Sequence, residues 1–356
     1  MAPCVLFLDC DRFYFAVEAA ERPGLAEDPR PVIIGRDPRV APRGIVTTAN
    51  DAARRLGIHS GLSAAIALRL APDAVFLPPR HDLYARYSER VMAVLRSESP
   101  LVQQSSIDEA ACVWPHGFAL EPALALRARV LAEARVSVSL GVATSPLVAK
   151  MASEAAKQRP DHVCIVAPGH EEAFLAPLPI RALIGVGPKA ESRLIAAGLT
   201  TIGALAARPP DELVTLFGRA HGRYLHEASH GIDDSTLAAE RVAKSISAEH
   251  TFAVDTTDRR ELWRQLRAQA EEVAARLRDE GLLAGEVAIK LRYANWETFT
   301  RQMRLGAPTD EEQRLAVSAA SLMRRHWDRE RAVRLIGLRA GRLTDGTTPL
   351  QLLLPF

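Results

Sequence analysis

Two short acidic clusters stand far apart in the chain, Phe7-Leu8-Asp9-Cys10-Asp11 and Ser105-Ser106-Ile107-Asp108-Glu109. Each adjoins a run that reads as a buried strand, so Asp9, Asp108 and Glu109 are expected to meet at the edge of one sheet. Carboxylates crowded into a partly buried site cannot all stay ionised unaided, because like charges raise one another's pKa. A divalent cation resolves that conflict. Hard oxygen ligands suit Mg²⁺, which also bridges phosphate oxygens in nucleotidyl transfer. Acidic residues at strand ends also cap turns or face solvent, and the two clusters alone leave both readings open.

The elements that must carry these residues are legible from periodicity. Val5 to Cys10 and Val136 to Val142 are apolar, β-branched strand runs, and Leu101 to Trp114 is a further strand-like segment. Tyr84, Tyr87, Val91 and Leu95 recur at helical spacing between His81 and Arg96. The alternation predicts a mixed sheet with helices on one face. From Pro168 to Gly231 short helical stretches alternate with Gly and Pro, and within them Leu183-Ile184-Gly185-Val186-Gly187-Pro188-Lys189 resembles a helix-hairpin-helix. Its glycines let backbone approach a phosphate, and the following helix presents free N–H groups. An ordinary turn between helices is the other reading.

Ser235 to Lys244 is a polar connection. Beyond it, Leu262, Leu266, Val273 and Leu277 mark one amphipathic helix, and Leu315, Ala319 and Leu322 another. Between them Val287, Ile289, Leu291 and Tyr293 alternate with Ala288, Lys290 and Arg292, predicting a strand with its basic side chains outward. Such a face suits a phosphate backbone, or is simply soluble.

At 356 residues the chain exceeds one hydrophobic core, so several domains are expected. No apolar run is long enough to cross a bilayer and no signal peptide is evident, so a cytoplasmic protein without membrane association is expected. Cys4, Cys10, Cys112 and Cys164 show neither CxxC pairing nor zinc spacing, which predicts buried thiols in a reducing compartment. A net charge of +2 says little, but its distribution says more: −2 over 169–243 and +4 over 244–344.

The cluster at Asp9-Cys10-Asp11 runs into Arg12-Phe13-Tyr14-Phe15, and Gly44 to Asn50 is followed by Ala53-Arg54-Arg55-Leu56-Gly57. With the SIDEA string, Gly141 to Ser153, Gly185 to Lys189 and Lys244 to Phe252, these resemble, in order and over nearly the whole chain, the Y-family lesion-bypass DNA polymerases of the polymerase IV type. The resemblance implies an α+β, multidomain right-hand polymerase. It would have a ferredoxin-like palm (1–12 and 80–168), small fingers (13–79), a helical thumb (169–235), a linker (236–243), an α/β little finger (244–344) and a tail (345–356).

By the same resemblance, Asp9, Asp108, Glu109 and the Cys10 carbonyl bind two Mg²⁺ ions, with the three carboxylates catalytic. Asp11 belongs to the motif without being a firm ligand. Tyr14 is the steric gate against a ribose hydroxyl, with Phe13 beside it. Thr47 lies over the nascent base pair, and Thr48, Arg54 and Lys157 contact the triphosphate. Gly185, Gly187, Lys189, Lys290 and Arg292 contact DNA. The terminal Pro349-Leu350-Gln351-Leu352-Leu353-Leu354-Pro355-Phe356 resembles a bacterial sliding-clamp peptide anchored by Gln351, Leu352, Leu354 and Phe356.

Two departures stand out. Asp51 occupies a position where the family usually has a tyrosine, and is expected to pair with Arg54 or Arg55 or to turn from the phosphates. Phe15 replaces a usually small residue. The expected function is low-fidelity, template-directed translesion synthesis without proofreading, by a monomer acting on primer–template DNA and dNTPs. The rivals are a non-catalytic accessory protein of the same fold that binds DNA and the clamp, and a nucleotidyl cyclase.

Overall fold

The computed structural model describes residues 4–239 and 243–345. They form two compact units, residues 4–40 with 44–239, and residues 243–345 with 41–43. The first unit begins β1 (Val5–Cys10), α1 (Phe13–Glu21), β2 (Val32–Gly35), β3 (Val46–Ala49), α2 (Asp51–Arg55), α3 (Ala64–Leu70) and β4 (Val75–Leu77). It continues through α4 (His81–Glu98), β5 (Val102–Gln104), β6 (Glu109–Val113), α5 (Leu120–Ala134), β7 (Val138–Ala143), α6 (Pro146–Ala156) and β8 (Val163–Ile165). It closes with α7 (Glu171–Leu175), α8 (Pro188–Ala196), α9 (Ile202–Ala206), α10 (Pro210–Phe217) and α11 (Arg219–Ser229). The second unit runs β9 (Ser245–Thr256), α12 (Arg259–Asp279), β10 (Leu283–Tyr293), β11 (Thr298–Thr309), α13 (Glu312–His326) and β12 (Val333–Thr344).

The largest sheet of the first unit has the order β5-β6-β1-β7-β8, with β1 antiparallel to both neighbours and β7 parallel to β8. β1 is apolar at both parities, and all six of its residues are buried. Leu6 and Leu8 pack with Tyr84, Tyr87 and Val91 of α4 and Leu126 of α5. Val5 and Phe7 face the other way, toward Leu147, Val148 and Met151 of α6 and the leucines of the following helices. Helices therefore cover both faces, not one as the alternation of elements predicted. A continuous apolar strand needs two covers, whereas an alternating strand needs one.

The segment from Leu101 to Trp114 is not a single strand. β5 and β6 form a hairpin, with Val102 opposite Cys112, and the Glu109 carbonyl accepts from the Ser105 and Ser106 amides at 3.0 and 3.3 Å. Ser106 and Asp108 bond locally and compete with the ladder, which is how such residues make turns. Asp108 thus sits in the turn and Glu109 opens β6.

A second sheet, β3-β2-β4, carries α2 and α3 on a small core of Ile33, Val46, Ala53, Ile58 and Ala67. Phe13 and Val17 of α1 instead pack into the core beneath β1. In the helical segment Gly185 has φ +91°, and a Cβ there would lie 2.6 Å from the Tyr224 ring, whose hydroxyl donates to the Ile184 carbonyl. Gly187 precedes Pro188 at the start of α8.

The second unit is an antiparallel sheet, β11-β10-β12-β9, with α12 and α13 against one face. The predicted alternation holds: Val287, Ile289, Leu291 and Tyr293 enter the core with Leu262, Leu266 and Leu315, while Lys290 and Arg292 lie on the other side. That outer face is less basic than β10 alone suggested. Glu249 of β9 pairs with Lys290 at 2.9 Å, and Glu286 with Arg339 of β12 at 3.0 Å. Glu286 belongs to β10 itself, on the same face as Lys290, whereas Glu249 comes from β9, whose place in the sheet is not readable from β10.

Among the described residues no helix is long and apolar enough to cross a membrane, and the four cysteines are free thiols.

Gly141 on β7 determines how closely α6 approaches the sheet. A Cβ there would collide with the Ala149 carbonyl and the Ser153 amide, both backbone atoms that cannot rotate away. Gly141→Ala is expected to cost about 3 kcal/mol or more in urea denaturation, because α6 must shift bodily. An unchanged midpoint would show that the helix has slack.

Candidate active site

One cleft of about 800 Å³ gathers most of the chemistry-bearing residues: Asp9, Cys10, Asp11, Phe13, Tyr14, Thr47, Thr48, Arg54, Asp108, Glu109 and Lys157. Asp9, the penultimate residue of β1, stands directly opposite Glu109 in the β1–β6 register. Asp108 is held beside them because the Cys10 amide donates to its carbonyl at 2.9 Å. Its carboxylate accepts from the Ser106 hydroxyl at 2.6 Å, giving that serine a defined task.

Two lysines of one helix face meet these acids. α6 starts at Ser145, whose hydroxyl caps the Val148 amide, with Pro146 at the first helical position. Lys150 lies in α6 and Lys157 caps its C-terminus with the backbone still helical, so the two, seven residues or two turns apart, share a side. Lys150 Nζ donates to Glu109 Oε2 at 2.9 Å and lies 5.1 Å from the Phe7 ring centre. Lys157 Nζ donates to Asp9 Oδ2 at 3.0 Å and to Glu154 Oε2 at 2.6 Å. Lys150 was not anticipated, although five lysines in the whole chain made each one conspicuous.

Burial pushes the Asp9 carboxyl up to about 6; Lys157 pulls it back, and Glu109 and Glu154 push it further. Burial and the surrounding acids, Asp108 first, likewise hold the Cys10 thiol well above its usual range. Among the described residues no three carboxyl, imidazole or thiol groups converge closely enough to hold a metal ion as they stand. The donor chemistry nevertheless fits a hard divalent cation: three carboxylates at one strand end, one reluctant to ionise, with lysine ammoniums where a cation's charge is needed.

Asp11 is turned elsewhere, as its motif role allowed. Its two oxygens accept from the Ser137 and Ser139 hydroxyls, each at 2.7 Å, and His162 Nδ1 is 3.3 Å away. Phe13 is buried, and Tyr14 packs edge-on to Tyr84 with centroids 4.8 Å apart. Burial and then Asp108 raise the Tyr14 hydroxyl's pKa.

The opposite wall comes from the second sheet. Thr48 on β3 is buried, and its hydroxyl accepts from Arg54 Nη2 at 3.2 Å; Arg54 Nε donates to the Ala49 carbonyl at 2.9 Å. Asn50 places α2 by accepting from both the Ala53 and Val32 amides at 3.0 Å. The expected pairing of Asp51 with Arg54 or Arg55 is not found: its carboxylate meets Arg12 at 2.6 Å. Arg54 is engaged by Ala49 and Thr48, and Asp51, opening α2, points to Arg12, two residues past the end of β1. Sequence separation hid that partner.

Gly185, Gly187 and Lys189 lie on the surface of the helical segment and do not line the cleft, and Lys290 and Arg292 belong to the other unit. Gln351, Leu352, Leu354 and Phe356 lie outside the described residues.

Residues 8–154 match the impB/mucB/samB family, and residues 243–354 match that family's C-terminal domain. A protein of Dehalococcoides mccartyi called DNA polymerase IV is 39% identical over 94% of this chain and 85% of its own length. One of the same name from Methanoculleus marisnigri is 38% identical over 97% and 95%. Among solved structures, a Y-family DNA polymerase chimera of Dbh and Dpo4 shares the fold with a TM-score of 0.82 at 22% identity, covering 95% of this chain and 98% of its own. An insertion ternary complex of Dbh DNA polymerase gives 0.64 at the same identity and coverage. Two domain matches in order and full-length relatives near two-fifths identity place this chain in the impB/mucB/samB family, the Y-family of lesion-bypass DNA polymerases of the polymerase IV type.

Proposed function

We propose that this protein is a template-directed, low-fidelity DNA polymerase that extends a primer past lesions by nucleotidyl transfer from dNTPs, in the cytoplasm and without proofreading. One observation carries the reading: Asp9, Asp108 and Glu109 gather at one strand edge of a cleft whose other wall presents Thr48 and Arg54. Residues 1–12 and 80–168 serve as palm, 13–79 as fingers, 169–235 as thumb and 244–344 as little finger. The accessory-protein alternative loses its main support, since Asp51 is satisfied by Arg12.

Asp9, Asp108, Glu109 and the Cys10 carbonyl would hold two Mg²⁺ ions, which when bound lower the pKa of the primer 3′-hydroxyl and offset charge on the triphosphate. The chain's own groups do the rest. Lys157 exchanges Asp9 and Glu154 for phosphate oxygens, and Arg54, whose present partners are neutral, offers an uncompensated guanidinium. Tyr14, braced by Tyr84, fills the space at the sugar C2′. Thr47 leaves room over the base pair for a damaged template. Gly185, Gly187, Lys189, Lys290 and Arg292 track the duplex backbone, and Gln351, Leu352, Leu354 and Phe356 engage a sliding clamp.

Primer extension with Mg²⁺ and four dNTPs is the direct test. Asp108→Ala is expected to abolish extension while leaving duplex affinity nearly intact, because that affinity comes mainly from phosphate contacts elsewhere. Normal extension by this variant would refute the assignment. Tyr14→Ala is expected to raise ribonucleotide relative to deoxyribonucleotide incorporation by about a hundredfold or more, since a steric barrier is worth several kcal/mol. An unaltered ratio would make Tyr14 a core aromatic.

Asp9 titrates near 6 in the fold against 3.8 as a free side chain, so the folded protein retains a proton that the unfolded chain has lost. Stability therefore falls as pH rises through that window, by at most about 3 kcal/mol, at about 1.4 kcal/mol per pKa unit. In metal-free buffer Asp9→Asn is expected to unfold at higher urea than wild type at pH 7.5, with the gap closing as pH falls toward 4. No gap at pH 7.5 would mean that the Lys157 pair fully offsets the burial of Asp9.

A further inference from the structure

Arg12 lines the cleft but has no part in the roles described so far. It follows β1, the strand that carries Asp9, and adopts a left-handed backbone, φ 50° and ψ 44°, which a non-glycine side chain takes up only at a cost. The backbone around it is anchored: the Cys10 and Asp11 amides donate to the Asp108 and Ser137 carbonyls, and the Arg12 carbonyl accepts from Ala16. A fixed, strained turn thus carries a long cationic side chain to the cleft wall.

Its partner lies to one side. Asp51 pairs with Arg12 at 2.6 Å, but is not among the residues lining the cleft. The two side chains remain 46% and 55% exposed, so the pair is weak and easily exchanged. Five carboxylates line this cleft against three permanent cations, Arg12, Arg54 and Lys157. A polyanion entering it draws on each of those cations, and a guanidinium prefers a multiply charged phosphate to a solvated monocarboxylate.

We propose that Arg12 is a phosphate-binding residue for the incoming nucleotide, held by Asp51 in the free protein and exchanged onto the triphosphate on binding. The inference rests on the polymerase reading of the cleft. Asp51 then acts as a competitor that loosens nucleotide binding through Arg12, without touching the substrate.

The test is single-turnover extension of a primer–template at varied dNTP, yielding an apparent Kd and a maximal rate. Wild type, Arg12→Ala, Arg12→Lys, Asp51→Asn and the Arg12→Ala/Asp51→Asn double variant are compared. Arg12→Ala is expected to weaken dNTP binding about tenfold with the maximal rate nearly unchanged, and Arg12→Lys to recover part of the loss. Asp51→Asn is expected to tighten binding about threefold, and the double variant to match Arg12→Ala alone, since the Asp51 effect passes through Arg12. Equal tightening by Asp51→Asn with and without Arg12 would overturn the proposal, as would an unchanged Kd in Arg12→Ala. Arg54→Ala separates the two levels. If it weakens dNTP binding while Arg12→Ala does not, only this inference fails; if wild type extends no primer at all, the polymerase reading fails with it.

Discussion

Placing Asp9 opposite Glu109 on adjacent antiparallel strands, with Asp108 beside them, creates an electrostatic cost that the rest of this site must answer. Like charges directly across a ladder oppose folding, and burial of Asp9 adds to the cost. The answer is one face of α6. Lys150 and Lys157 hold Glu109 and Asp9 respectively, so the acids are balanced without being buried as isolated charges. Both lysines are positioned by the packing of that helix on the sheet, which depends on the missing side chain at Gly141. A chain of dependence therefore runs from a backbone contact to the charge state of the cleft.

The arrangement also supplies the acid cluster with counter-charges from within the chain. Each lysine is a counter-charge to its acid, and Lys157 is shared between Asp9 and Glu154. Asp11 shows the opposite design. Both of its oxygens are committed to Ser137 and Ser139, so it secures the turn after β1 instead of joining the charge cluster. Asp9 and Asp11, two residues apart in one motif, thus meet different partners: Asp9 meets Lys157 beside Glu109, and Asp11 meets the Ser137 and Ser139 hydroxyls.

The two walls of the cleft come from different sheets and are stabilised differently. The acidic edge is embedded in a sheet covered on both faces, which gives it rigidity. The Thr48 and Arg54 wall stands on a small core of alanines and aliphatic residues, tied together by Asn50 bridging α2 and β2. In the second unit, alternation on β10 separates core from surface, but Glu249 and Glu286 moderate the charge of the exposed face.

Several features were legible in the sequence. The strand at Val5 to Cys10, the helices beneath Tyr84 to Leu95 and Leu262 to Leu277, and the alternation at Val287 to Tyr293 follow from local periodicity, which backbone geometry imposes whatever the tertiary context. The two acidic motifs and the ordered strings around them identified the family. What the sequence could not show depends on contacts between distant residues. The second cover on β1, Lys150 against Glu109, and Arg12 against Asp51 are all of this kind, whereas the turn that breaks Leu101 to Trp114 is made by local bonds of Ser106 and Asp108. Local pattern specifies which way a side chain faces within its own element. Only the packing of elements decides which distant charge it meets, because an ion pair depends on separation in space and carries no periodic trace along the chain.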